Sequence, residues 1–249
     1  MEPLMFLEAL AIGTLLGLLL GLTGAGGSLV ALPLLLSLHL PLRDAVGVSL
    51  GAVALTALVG TVLRLRQGLV AWPPVLLLAA TGLPGNALGQ WLGHWVPEGL
   101  LITGFCLLVL WSAWRLWHGA ERPRAGTGPL RYLPLLAIGL GVGVLSGLMG
   151  VGGGFLVVPA LLWFTPLSVL AATATSMAVV VVVSGGGFLL YLGQAQPPAL
   201  LLGALAVGGA LGMLVGNRLA YRLGGPALQR LFAVLLVITS LSVALQKLF

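Results

Sequence analysis

Two stretches carry the residue types that could hold a ligand: GLTGAGGSLVALPLLL at residues 21–36 and GLMGVGGGFLVVPALL at residues 147–162. Offset by 126 positions they match at 8 of 16 places, including Gly21/Gly147, Gly24/Gly150, Gly26/Gly152, Gly27/Gly153 and Pro33/Pro159. Glycines that dense, followed closely by a proline, interrupt a helix. An interruption leaves unpaired backbone N–H groups at the start of the next helix, where the positive end of the helix dipole favours an anion. Gly26, Gly27 and Ser28 open one such segment, and Gly152, Gly153 and Gly154 open its counterpart. The chemistry expected is therefore anion binding by backbone N–H groups, without any buried arginine. Tight helix packing would use the same glycines. It would not require the apolar segment after each break to be only about eleven residues, or about 16 Å, roughly half the hydrocarbon thickness.

Few side chains could assist. Ser49, Thr175 and Ser176 lie one helix further on in each half and could offer hydroxyls to a ligand; back-bonding to the i−4 carbonyl accounts for them equally well. Asn86 and Asn217 sit in glycine-spaced spans, with Gln90 and Gln194 as weaker candidates. Glu8 is the one carboxylate about a turn inside an apolar run, while Asp44 and Glu98 fall at edges. Coupling through a dedicated buried acid is thus not expected, and an inside-negative potential alone drives an anion outward.

Other chemistries fail on spacing. GAGGS lacks the Lys-Ser/Thr of a phosphate-binding loop. His39, His94 and His118 fall near span ends, with no Ser–His or Asp–Asp pair at matching depth, so an enzyme, a metal site and a cofactor are not expected. Cys106 lies within an apolar span and reads as a packing residue.

The elements that must position these groups follow from composition. The 249 residues are 59% hydrophobic and 6% charged, with mean hydropathy +1.17; soluble domains are about 25% charged. Apolar runs of about 20 residues recur, the length of a membrane-crossing helix, and alternating strands of about ten residues are absent from the pattern. The net charge of +6 comes from basic residues at span ends rather than in one patch, which argues against nucleic acid and for interface anchoring in a bilayer. MEPLMFLEAL carries acids where a secretory leader carries positive charge, so residues 4–22 read as the first span.

The expected fold is an all-α integral membrane protein of two inverted-topology repeats. It has about eight full-length spans plus two short helices after the Gly-rich breaks. The first half covers residues 1–118, a cytoplasmic linker 119–131, and the second half 132–249. Spans are expected at 45–63, 70–92 and 99–117, then 132–148, 167–190, 198–220 and 226–246, with a short helix at 154–164. After the breaks the offset becomes 127 and the matches continue: Ala45/Ala172, Ser49/Ser176, Gln67/Gln194, Gly82/Gly209, Gly85/Gly212, Gly89/Gly216 and Phe105/Phe232. The combs Gly13-Gly17-Gly21 and Gly139-Gly143-Gly147 each put three glycines on one helix face. Placing the Arg64–Gly68 turn, the linker and the 221–226 loop in the cytoplasm leaves Arg43 and Lys247 as the two basic residues outside. Both termini then lie outside and the halves face opposite ways. That arrangement is typical of secondary transporters with a site near mid-membrane. An anion channel of the same architecture is the alternative.

The doubled G-L-x-G-x-G-G-x-x-x-x-x-P pattern, with A-V-G-V-S-L at 45–50 and A-T-A-T-S-M at 172–177, resembles the sulfite exporter TauE/SafE family over essentially the full length. The resemblance implies a multi-pass plasma-membrane transporter, with sulfite, sulfonates or other sulfur-containing organic anions as the substrate class. Ser28 stands where the second copy has Gly154, which makes the two half-sites chemically unequal.

Overall fold

The computed structural model describes residues 3–24, 31, 34–35, 42–93, 95, 98–119, 132–149, 154–193 and 198–248. Among the described residues all regular structure is helical, because apolar sequence in lipid must bond its backbone within the segment. Helix α1 spans Pro3–Thr23, α2 Leu42–Leu65, α3 Trp72–Leu92 and α4 Glu98–Gly119. Helix α5 spans Tyr132–Met149, α6 Gly154–Phe164, α7 Val169–Leu192 and α8 Ala199–Leu248. Ala31, Leu34 and Leu35, after the first break, are also helical.

Met5–Thr23, Asp44–Leu65, Val169–Leu192 and Ala199–Gly224 are long and apolar enough to cross a membrane. Leu76, Leu107, Leu133, Leu189 and Leu200 project from the bundle surface, as lipid-facing side chains do. The chain is a helical membrane protein.

Two boundaries differ from the sequence reading. The expected loop at 221–226 is a single sharp kink within α8, where Gly224 takes φ 75° and ψ 170° and Pro226 follows. Glycine alone adopts that geometry cheaply. Helix α2 continues to Leu65, so Arg64 belongs to the helix and the turn begins after it, closed by Gly68 at φ 69°.

The glycine combs set the packing. A Cβ on Gly13 would strike the Leu205 carbonyl, one on Gly17 the Gly209 backbone, and one on Gly21 the backbone of Met213 and Asn217. The 126/127 offsets carry each contact onto a second: Gly139 against Leu78, Gly143 against Gly82, and Gly147 against Asn86 and Gln90. Thus α1 of the first half packs on α8, and α5 of the second half packs on α3, by the same rule. Without a hydrophobic drive between helices in lipid, such close backbone approach supplies the van der Waals contact that holds them together.

Helices α2 and α7 form the seam between the halves. Gly47 lies against Tyr191, Gly51 against Phe188, Gly60 against Met177, and Arg64 against Thr173, so the two run antiparallel. Helices α1 and α2 run parallel to each other: Gly17 and Thr56 both meet Gly209, and Gly21 and Arg64 both meet Asn217. Leu16, Leu20, Val53, Ala57, Met177, Val180 and Met213 fill the core around that crossing. Val75, Leu78, Leu135, Val157, Leu161 and Val183 fill a second core on the far side of α7.

Candidate functional site

At the end of α2 the buried face of the helix, Val53, Thr56, Ala57, Gly60 and Thr61, continues by one turn to Arg64. Its side chain is 0% exposed. Nε donates to Asn217 Oδ1 at 2.9 Å, Nη2 to the Gly21 carbonyl at 2.7 Å, and Nη1 to Thr173 Oγ1. Thr173 donates its own proton to the Leu170 carbonyl at 2.9 Å, which leaves its lone pairs for the guanidinium. Gly21 is among the last four residues of α1, whose carbonyls a helix end leaves without an intrahelical donor. The guanidinium therefore joins α1 and α2 of the first half to α7 and α8 of the second.

The first glycine break starts beside this group. Gly24 sits at φ 77°, bonds back to the Leu20 carbonyl at 2.7 Å, and packs so closely on Thr173 that an added Cβ would lie 2.6 Å from the threonine Cβ. The turn after α2 is fastened to the same end of α7, where Ala71 N–H donates to Thr175 Oγ1 at 3.1 Å. A closed cavity of about 10 Å³ lies between Thr23, Val158, Leu162, Thr173, Gln229 and Phe232. It has room for about one water.

Of the residues singled out from sequence, Gly26, Gly27, Ser28, Gly152 and Gly153 lie outside the described residues. Gly154 opens α6 and is buried, and Ser176 Oγ donates to its carbonyl at 3.4 Å. Thr175 is occupied by the Ala71 N–H. Ser49 is fully buried, and its Oγ has no partner among the described residues. Ser49 and Ser176 are not neighbours. On an antiparallel pair, equivalent positions meet only at the crossing, and these two lie about twelve residues, or about 18 Å, apart along the seam. Asn86 donates to Ser146 Oγ at 3.1 Å and accepts from Gln90 at 2.7 Å, a network at the α3–α5 contact. Asn217, by contrast, faces the guanidinium.

Arg64 is the group that sequence reasoning assigned to a cytoplasmic turn. The signal that could have found it was the register: it lies at i+4 from Gly60 and i+3 from Thr61 on the inward face of α2, whereas Arg66 does not. Its repeat counterpart is Tyr191, whose hydroxyl donates to Asp44 Oδ1 at 2.8 Å. One end of the α2–α7 seam thus carries a cation and the other a carboxylate.

A helical membrane bundle with reciprocally packed halves and buried polar groups beside broken helices has the build of a membrane transporter. The chain belongs to the sulfite exporter TauE/SafE family, whose model matches residues 9–243. It is similar to a "Probable membrane transporter protein" of Xylella fastidiosa, 30% identical over 93% of this chain and 92% of the relative. It is also similar to "Probable membrane transporter protein YdhB" of Bacillus subtilis, 29% identical over 82% and 86%. A more distant relative is "Probable membrane transporter protein MJ0441" of Methanocaldococcus jannaschii, 25% identical over 77% and 74%. No solved structure matches the chain.

Proposed function

We propose that the protein is a secondary transporter for small sulfur-containing anions such as sulfite or organosulfonates, carried across the bacterial plasma membrane between two inverted halves. The observation that carries this reading is the reciprocal packing: contacts made by the first half on the second recur, at the repeat offset, from the second on the first. Two equivalent halves exchanged by a two-fold axis can rock against one another, which is how alternating access works in inverted-repeat transporters. Eight full-length spans and two short helices follow, with residues 119–131 as a cytoplasmic linker and both termini outside. The parallel course of α1 and α2 supports two crossings between residues 4 and 38 rather than a re-entrant hairpin.

The ligand groups are the backbone N–H donors of Gly26, Gly27 and Ser28 and of Gly152, Gly153 and Gly154, with hydroxyls from Ser49, Thr175 and Ser176. Because Ser49 and Ser176 lie at different levels of the seam, the two sets act as successive stations rather than one shared pocket. The substrate class comes from the family, whose name refers to sulfite. The test is efflux of sulfite from proteoliposomes loaded at known concentration. A carrier gives saturable flux that external sulfite accelerates, and Gly27→Val or Gly153→Val abolishes it with the protein still inserted. Unaltered flux in both variants would remove the glycine stations, and flux that rises linearly without trans-stimulation would make the protein a channel.

A further inference from the structure

We infer that Arg64 is an anion-binding residue, its guanidinium held by three neutral acceptors that an incoming oxyanion displaces in part. The inference rests on the anion-transport reading for the identity of the ligand, and on the site alone for the existence of binding.

A guanidinium has five N–H donors in a fixed fork and keeps its charge at any physiological pH. Three donors are assigned here, to an amide oxygen, a hydroxyl and a main-chain carbonyl. All three acceptors are neutral. A buried cation is strongly disfavoured unless an opposite charge accompanies it, and the chain's own carboxylates are poorly placed for that. Glu8 lies about 20 Å from Gly21 along α1, and Asp44 about 30 Å from Arg64 along α2; these are the two acids whose side chains the structure describes. Among the described residues, the charge at Arg64 has no counter-ion.

A second group points to a ligand at the same place. Thr61 lies one turn before Arg64 on α2, is 8% exposed, and its Oγ1 has no partner among the described residues. Ser184 on α7 and Ser49 on α2 are fully buried with unpartnered hydroxyls further along the same seam. Buried hydroxyls without partners are uncommon in native structures. Here three of them extend along the seam from the cation.

Capping of α1 through the Gly21 carbonyl explains one donor of the five, and a lysine would serve as well. A planar fork that can pair two oxygens of one oxyanion is what an arginine adds. The acceptors also divide between the halves: Gly21 belongs to the first, Thr173 and Asn217 to the second. An anion that takes donors from Thr173 and Asn217 loosens bonds that join the halves, so binding favours their movement. The neighbouring cavity of about 10 Å³ is too small for a sulfur oxyanion, so admission requires its walls to part.

The test uses the purified full chain in detergent with sodium sulfite, sulfate, phosphate and chloride as probes, reading affinity by calorimetry and thermal stability without added anion. Asn217→Asp places a carboxylate on Nε. It should raise the melting temperature and weaken binding of the best-bound anion at least tenfold, because the new carboxylate competes for the guanidinium. Arg64→Lys should also weaken it at least tenfold. Anion affinity within twofold of the parent in both variants overturns the inference, as does failure of the parent to bind any of the four. If phosphate or sulfate binds through Arg64 and sulfite does not bind, the inference stands and the sulfite reading falls. If sulfite binds and both variants bind it equally well, the reverse holds.

Discussion

At the scale of single residues, the cluster around Arg64 depends on side chains that cannot be exchanged for isosteres. Thr173→Val keeps the shape of the α7 face but removes the acceptor of Nη1, leaving a charged donor buried and unpaired. Losing a hydrogen bond to a charged group costs about 1.5–3 kcal/mol, so the variant should unfold at a measurably lower temperature, and Thr173→Ser should restore most of the loss. Equal melting temperatures for the Val and Ser variants would mean that the hydroxyl is not the guanidinium's partner. Gly24 is constrained twice, by φ 77° and by contact with Thr173. A left-handed conformation alone costs a residue with a side chain about 1–2 kcal/mol, so Gly24→Ala should destabilise by at least that much and also push Thr173 away from Arg64. Thermal unfolding of the purified protein measures both.

At the scale of helices, the combs on α1 and α5 do one job in two copies. Gly17→Val drives a side chain into Gly209, and Gly143→Val does the same at Gly82. Because the two contacts are related by the repeat, the two variants should lose stability and transport to a similar degree, as read by melting temperature and sulfite efflux. Gly203→Val, on an open face of α8 with nothing nearby, should be tolerated. Strong loss in one comb variant alone would show that the halves are not equivalent in their packing. The helices were largely legible in the sequence, because apolar runs and glycine spacing encode length and contact face directly. The half-length α6 was legible as well, since Gly152–Gly154 fix its start. What escaped was depth and partnership. The charge of Arg64 suggested a turn, whereas the register of α2 carries it inward. Ser49 and Ser176 match as sequence but sit far apart, because a repeat offset does not reveal whether equivalent helices cross parallel or antiparallel. The kink at Gly224 read as a loop for the same reason: glycine and proline mark a break without giving its angle.

At the scale of the molecule, the direction of α2 against α7 decides what kind of two-fold relates the halves. An axis along the membrane normal would make equivalent helices run the same way. An axis in the membrane plane makes them run opposite ways, and α2 and α7, equivalent by the offset of 127, are antiparallel through Gly47–Tyr191 and Gly60–Met177. From this we infer inverted halves, in agreement with the count of basic residues, which holds the Arg66 turn, the linker and the Arg218–Arg222 region on one side. Inversion also explains the polarity of the seam, since it sends Arg64 to the cytoplasmic end and its counterpart Tyr191, with Asp44, to the opposite end. An anion leaving the cell would then meet the cation first and the carboxylate last, an order that favours entry from inside and release outside. Reporter fusions test the arrangement independently of transport. A reporter active only outside should respond at both termini, and one active only inside should respond when inserted within residues 119–130. An external N-terminus with a cytoplasmic C-terminus would require an odd number of crossings, and the exchange of halves across an in-plane axis would have to be abandoned.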